Sequence, residues 1–235
     1  MHTNSSADVT MLSYSLSLIL LAGGQGSRIG GSLPKQFLRY HGKPLALYSL
    51  EVLLSLPHMQ CVVVCDSRYQ DLFTPFEVTF ALPGKERMLS VASGMQALTN
   101  PTDFVLVHDA ARPFVKRDDI LRLVETAHVH GAATLATPVS STIKQADETL
   151  FVQKTLPREL LWEIQTPQML KGSLLKEGLD LLLSQNRLVT DEMSIAEEMH
   201  HPVKLVPGDP MNFKVTTPKD LLLADLLFTS TRVSL

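Results

Sequence analysis

Short aliphatic runs alternate with helical patterns along most of the 235 residues, and this alternation constrains the fold more than any other feature. Several of the runs are apolar throughout, as in a parallel sheet that helices cover on both faces. We therefore predict an α/β fold with a Rossmann-like, doubly wound, mostly parallel sheet, whose functional site lies at the carboxyl ends of the strands. Strands are predicted over residues 15–21, 60–66, 77–82, 103–108, 132–138 and 203–207, and helices over 44–56, 86–98, 118–130, 171–184, 191–199 and 217–228.

Residues 139–160 interrupt this alternation. Two strand-like pieces, 142–146 and 149–156, flank Asp147-Glu148, which indicates a β-hairpin. Because an isolated hairpin is marginally stable in water, we expect it to project as an arm and to pack against a second subunit in a homodimer.

Composition limits the class of protein. A net charge of −3 argues against a general nucleic-acid surface, and no apolar run approaches the length of a membrane span. Cys61 and Cys65 lie on one face of a strand-like run, too far apart to form a disulfide. We therefore predict that both are core residues, in a protein of a reducing compartment. The apolar run 16–21 lacks the positively charged leader of a signal peptide, which favours a cytoplasmic protein. We predict a loose tail over residues 1–13 and a single domain over residues 14–235.

A glycine-rich segment, Ala22-Gly-Gly-Gln-Gly-Ser-Arg28, directly follows the first predicted strand, and Lys35 comes shortly after it. Glycine N–H groups and two cations suit a polyphosphate ligand. The dinucleotide-binding pattern fails, since Ile29 occupies its third glycine position, and the Walker pattern fails, since Ser32 stands where a lysine is required. A glycine turn without a ligand is the alternative, but two cations directly after a buried strand favour a phosphate site.

The segments A-G-G-x-G-S-R-x-G and P-K-Q-F resemble the nucleotidyltransferase signature and are most similar to the 2-C-methyl-D-erythritol 4-phosphate cytidylyltransferases. Matching segments follow in the family's order up to Pro218: G-K-E-R-M-L-S-V, H-D-A-A-R-P, S-T-I-K, T-L-P-R-E-L-L-W, T-P-Q and N-F-K-V-T. The ribitol-5-phosphate cytidylyltransferases, which make CDP-ribitol, are similar as well. The glycine segment resembles theirs slightly more, whereas H-D-A-A-R-P and T-D-E favour the methylerythritol branch, which we adopt.

This resemblance implies transfer of CMP from MgCTP to 2-C-methyl-D-erythritol 4-phosphate, with release of pyrophosphate. Arg28 and Lys35 would stabilise charge on the triphosphate, while Lys214 and an Arg158 supplied across the dimer interface would hold the acceptor phosphate. Magnesium would be bound mainly through CTP, and no protein ligand is assigned to it. The substrate-binding residues that the resemblance implies are Ala22, Gly23, Gly24, Gly26, Gly84, Ser90, Asp109, Ala110, Arg112, Thr142 and Thr166.

Some of these residues also have a purely structural interpretation. Asp109 and Arg112 would serve equally to brace the turn after a buried strand. Lys214 is predicted on a strand, opposite its core-facing neighbours, where a lysine without a ligand would be solvated. The run Thr190-Asp191-Glu192 reads as a helix N-cap with acidic first-turn residues.

A nucleotide-sensing or scaffolding protein that keeps the fold without catalysis is a second class of function. Such a protein is expected to lose Arg28, Lys35 or Lys214, and the chain keeps all three. Lys85 departs from the family, which often has an acidic residue at that position. The sequence therefore does not decide whether this side chain contacts the cytosine base of CTP.

Overall fold

The structure, a computed structural model, describes residues 13–24 and 33–230. Its strands are β1 (Leu16–Leu21), β2 (Arg39–Tyr40), β3 (Lys43–Pro44), β4 (Gln60–Val64), β5 (Thr79–Ala81), β6 (Phe104–Asp109), β7 (Ala132–Pro138), β8 (Lys144–Ala146), β9 (Val152–Thr155), β10 (Trp162–Lys171) and β11 (Lys204–Pro207). The central sheet has seven strands in the order β11-β7-β10-β6-β1-β4-β5. Within it, β10 runs antiparallel to both of its neighbours, and the other neighbouring strands are parallel. The predicted α/β fold is confirmed.

Helices follow the strands, as the sequence pattern predicts. They are α1 (Leu45–Leu54), α2 (Arg87–Gln96), α3 (Arg117–His130), α4 (Gly172–Ser184), α5 (Glu192–Glu198) and α6 (Pro218–Ser230). The start of α6 is a capping box, in which the Asp220 carboxylate accepts from the Thr217 N–H at 2.8 Å and the Thr217 hydroxyl accepts from the Asp220 N–H at 3.3 Å. Within the described residues, no helix combines the length and apolar character needed to cross a bilayer.

The strand β10 is absent from the predicted set. Its sequence carries one glutamate and two glutamines and has Pro167 near its centre, and proline argues against a central strand because it cannot donate to the ladder. The pairing of β10 with β7 shifts register between Ile164 and Gln168, so Pro167 falls where the ladder is irregular. This irregularity directs Thr166 towards the end of β6.

Apolar side chains pack on both faces of the sheet. In β1, Leu18 and Leu20 belong to one buried cluster and Ile19 to the other, as expected for a strand covered on both sides. Cys61 and Cys65 are unbridged, and both lie in the cluster that contains Leu18. Burial raises the pKa of each thiol to about 12, in agreement with their predicted role as core residues.

The predicted arm is a hairpin formed by β8 and β9, which pair with each other in a separate two-stranded sheet. The strands are shorter than predicted, since Thr142 precedes β8. The apolar side chains on the arm are exposed, with 86% of Leu150 and 72% of Phe151 accessible to solvent. The predicted tail lies almost entirely outside the described residues.

Candidate active site

A cavity of about 1100 Å³ opens at the carboxyl edge of the sheet, where β1, β4, β5 and β6 end. This is the edge at which open α/β sheets bind ligands, as predicted. The lining residues are 21–24, 34–37, 66–69, 82–87, Ser90, Asp109, Ala111, Lys214 and Thr216.

The described part of the glycine segment forms one wall of this cavity. Gln36 is buried, and its Nε2 donates to the carbonyl oxygens of Ala22 and Gly24, each at 2.7 Å. These bonds hold the turn after β1 against the short helical turn Lys35–Phe37, so Lys35 lies beside the glycines on the cavity wall. Gly26 and Arg28 lie outside the described residues.

A second wall is the loop that leads into α2. Here the Ser90 hydroxyl accepts from the Gly84 N–H at 3.1 Å and donates to the Glu86 carbonyl at 3.2 Å. A Cβ on Gly84 would lie 2.3 Å from Cβ of Leu89, so only glycine fits this turn. The predicted pair Gly84 and Ser90 is thus one hydrogen-bonded unit that lines the cavity.

Cations surround a buried carboxylate at the end of β6. Oδ1 of Asp109 accepts from Arg87 at 3.2 Å, while Oδ2 lies 2.8 Å from the Lys214 ammonium and 3.9 Å from Nε of Arg112. Burial opposes ionisation, but Arg87 and Lys214 hold the pKa of Asp109 well below its ordinary value. The cluster therefore keeps a charged carboxylate at the cavity wall.

Arg87 connects this cluster to a second carboxylate beneath it. Its two terminal nitrogens donate to the two oxygens of Glu192 at 2.5 and 3.1 Å, and the Glu192 side chain is 1% exposed. Burial raises the pKa of Glu192, and the Arg87 guanidinium acts against that rise. Glu192 is an acidic first-turn residue of α5, as predicted, but the contact with Arg87 also buries it. Asp191 is the N-cap of α5, as predicted.

Lys214 reaches the cavity from irregular chain, which corrects the predicted strand at this position. Nδ2 of Asn212 donates to Oε1 of Gln165 at 3.1 Å and to the Thr166 carbonyl at 2.9 Å. The Val215 N–H donates to the Ala111 carbonyl at 2.9 Å. These contacts anchor the segment on both sides of Lys214, whose side chain is 36% exposed and paired with Asp109 instead of fully solvated.

Among the residues that the structure describes, five of the predicted site residues do not line the cavity. Their side chains are either buried behind its wall or located on the arm, and they are Ala110, Arg112, Thr142, Arg158 and Thr166. The buried Thr166 hydroxyl accepts from the Asp109 N–H at 3.0 Å, and Arg112 donates to the Asn212 carbonyl at 2.7 Å. In this single chain, the exposed Arg158 donates to the Ser140 carbonyl at 3.0 Å.

Sequence reasoning missed Arg87, Glu192 and Gln36 as parts of the site. All three lie inside the segments that carry the family resemblance, and Gln36 directly follows Lys35. Their position in these segments is the signal that was available. What they contact, however, depends on residues far along the chain.

A family model described as 2-C-methyl-D-erythritol 4-phosphate cytidylyltransferase matches residues 16–230. The chain belongs to this family. The family's rice protein (Oryza sativa subsp. japonica), named as chloroplastic, is 48% identical over 220 residues, which cover 91% of this chain and 74% of the rice chain. The one from Chlamydia pneumoniae is 43% identical over 212 residues, which cover 90% of this chain and 98% of that one.

The family likeness extends to solved structures. The crystal structure of 2-C-methyl-D-erythritol 4-phosphate cytidylyltransferase from Thermus thermophilus matches with a TM-score of 0.74 and 29% identity, covering 93% of this chain and 100% of that chain. As a member of the cytidylyltransferase family, the chain is a nucleotidyltransferase. The ribitol branch is not favoured, since these relatives carry the name of the methylerythritol branch.

Proposed function

We propose that this protein transfers the cytidylyl group of CTP to 2-C-methyl-D-erythritol 4-phosphate, a step of non-mevalonate isoprenoid synthesis. The observation that carries the proposal is the cavity in which the glycine turn and Lys35 line one side and the Asp109–Lys214 pair lines another. Two phosphorylated substrates need cations on two sides of one space. Family membership supplies the identity of those substrates.

The reaction joins two polyanions. An oxygen of the acceptor phosphate attacks the α-phosphorus of CTP in line, the new P–O bond forms, and the bond to the bridging oxygen of pyrophosphate breaks. The attacking oxygen is ionised near neutral pH, so no strong general base is required. Catalysis therefore rests on holding the reactants in line and on placing positive charge where negative charge develops.

Lys35 and Arg28 act on the triphosphate, where charge develops on the α-phosphate and on the leaving pyrophosphate. Lys214 and the Arg158 of a second subunit bind the acceptor phosphate. Asp109 keeps the Lys214 ammonium at the cavity wall, as their 2.8 Å contact supports. The roles of the other predicted substrate-binding residues, at the base, ribose and acceptor, remain proposals that follow from the family resemblance.

Members of this class of enzyme use a divalent cation, and we assign magnesium. Both oxygens of Asp109 already contact cations, so this carboxylate is poorly suited to hold a metal as well. Magnesium prefers phosphate oxygens and water, which fits an ion bound through CTP. When bound, it neutralises charge on the triphosphate.

Our proposal for the assembly is a homodimer joined through the arm. Leu150, Phe151, Val152 and Leu160 on the arm all expose more than half of their surface, and such exposed apolar side chains favour burial against another protein. Location in the cytoplasm stays a prediction. Because the rice relative is named as chloroplastic, fractionation of the source cells should include plastids where the cells have them.

The test of the activity is pyrophosphate release from CTP with each of two acceptors. We expect rapid, magnesium-dependent release with 2-C-methyl-D-erythritol 4-phosphate and little with ribitol 5-phosphate. Preference for ribitol 5-phosphate would reassign the acceptor. Binding of CTP without turnover of either acceptor would reject the enzymatic function.

A further inference from the structure

The buried pair Arg87–Glu192 has no role in the reaction described above, although Arg87 lines the cavity. Burying a carboxylate is costly unless it is paired, and a buried ion pair is by itself weak evidence for stability. The helix start does not require the Glu192 side chain either. Oδ1 of Asp191 accepts from the Ser194 N–H at 2.9 Å and so caps α5.

The geometry of the pair restricts the direction of the Arg87 side chain. Both terminal nitrogens are bound to Glu192, and a planar guanidinium held by two bonds cannot turn. Its remaining donor, Nε, then points to Oδ1 of Asp109 at 3.2 Å. Oδ2 of Asp109 is thereby left to Lys214 at 2.8 Å.

We infer that Glu192 is a positioning residue for the acceptor-phosphate side of the site, acting through Arg87 and Asp109 on the Lys214 ammonium. The inference rests on the proposed function, which gives Lys214 the acceptor phosphate. Without the Glu192 charge, the Arg87 guanidinium is free to turn, so its Nε no longer holds Oδ1 of Asp109 and the carboxylate is no longer directed towards Lys214. The ammonium would then lose its fixed place at the cavity wall.

The experiment compares Glu192→Gln with Glu198→Gln. Glu198 is a matched control because it lies on the same helix and also forms a two-bond pair, with Arg187 at 2.6 and 2.8 Å, but on the surface. For Glu192→Gln we expect the acceptor KM to rise about tenfold, since misplaced positioning groups cost up to about 100-fold. The CTP KM should change less than about twofold, and Glu198→Gln should match the wild type.

Glu192→Asp keeps the charge on a shorter side chain and should recover part of the acceptor KM. Should Glu192→Gln fail to fold, the double variant Arg87→Gln/Glu192→Gln removes both buried charges and is expected to restore folding. Positioning requires the folded double variant to keep a high acceptor KM. A purely structural role requires its KM to return to the wild-type value.

The activity of the wild-type protein distinguishes a failure of the proposed function from a failure of the positioning role of Glu192. If it releases no pyrophosphate from CTP and the methylerythritol acceptor, the proposed function fails. If it is active, and Glu192→Gln has the kinetic constants of Glu198→Gln or raises both KM values equally, only the positioning role of Glu192 is overturned.

Discussion

His108 lies behind the wall of this site, next to Asp109, and each of its ring nitrogens has a fixed partner. It is fully buried, and its Nδ1 lies 3.0 Å from the Thr166 hydroxyl, while its Nε2 lies 3.2 Å from the Arg112 carbonyl. Since the Thr166 oxygen accepts from the Asp109 N–H, its own hydrogen is available to Nδ1. The proton of the neutral ring is therefore on Nε2, which donates to the carbonyl. This chain of bonds fixes the turn that carries Asp109.

Burial lowers the pKa of His108 to about 4, against about 6.5 for a histidine in an unfolded chain. The unfolded state thus binds a proton at higher pH than the folded state. We predict that the free energy of unfolding falls as pH drops from about 6.5 to about 4, by up to about 1.4 kcal/mol per pH unit from this residue. Urea unfolding across this range should show a shallower pH slope for His108→Asn than for the wild type. An equal slope in the two proteins would contradict the prediction.

Lys35 is predicted to act mainly in the transition state. Lys35→Ala should lower kcat by about 100- to 1000-fold and raise the CTP KM much less, because charge on the leaving pyrophosphate develops as the bond breaks. Steady-state kinetics with varied CTP measures both constants. A raised CTP KM with unchanged kcat would show that Lys35 only binds the nucleotide.

At the scale of elements, the cavity depends on close contact between two turns at the carboxyl edge of the sheet. The turn after β1 and the loop before α2 meet at Gly23 and Pro83, where a Cβ on Gly23 would lie 2.2 Å from Cβ of Pro83. At Gly24, the next residue, no atom of the described residues lies within 4 Å of an added Cβ. A side chain at Gly23 would therefore clash with Pro83, whereas one at Gly24 meets no such contact among those residues.

We predict that Gly23→Ala lowers the free energy of unfolding by about 1–3 kcal/mol, since the turns must move apart to admit the methyl group. Gly24→Ala should change it by less than about 0.5 kcal/mol. Denaturant unfolding of both variants tests this contrast. Equal destabilisation would mean that the two turns separate at little cost.

At the scale of the whole molecule, the arm and the cavity are proposed to complete each other only in a dimer. Arg158 lies on the exposed arm, outside the cavity of its own chain. An arm whose apolar residues are exposed is more stable when a second subunit covers them, and in the proposed dimer Arg158 reaches the partner's cavity.

Mixing two inactive variants tests this arrangement. In a dimer of one Lys35→Ala subunit and one Arg158→Ala subunit, one site has both residues intact if Arg158 acts across the interface. Random reassociation at equal amounts should then restore about a quarter of wild-type activity, because half of the dimers are mixed and each has one intact site. Action of Arg158 on its own chain predicts no recovery. The mass of the wild-type protein by light scattering should be that of a dimer.

Local sequence determined much of this protein. Apolar and amphipathic runs favour strands and helices through contacts between residues close in sequence. The bounds of helices such as α3 and strands such as β7 are therefore predicted to within one or two residues. The carboxyl ends of parallel strands also lie at one edge of the sheet. This rule alone predicts that the glycine turn after β1 and Asp109 at the end of β6 lie close together, and both line the cavity.

Tertiary structure decided what local pattern does not encode. The polar residues and the proline of β10 do not form a strand pattern, so the sequence does not predict this strand. It is a central strand only because β6 and β7 lie on either side of it. Glu192 looks like any acidic residue at a helix start, and its burial depends on Arg87, 105 residues away in sequence. Such charges acquire their function from partners that only the folded chain brings within reach, because an electrostatic contact depends on distance in space and not on spacing in sequence.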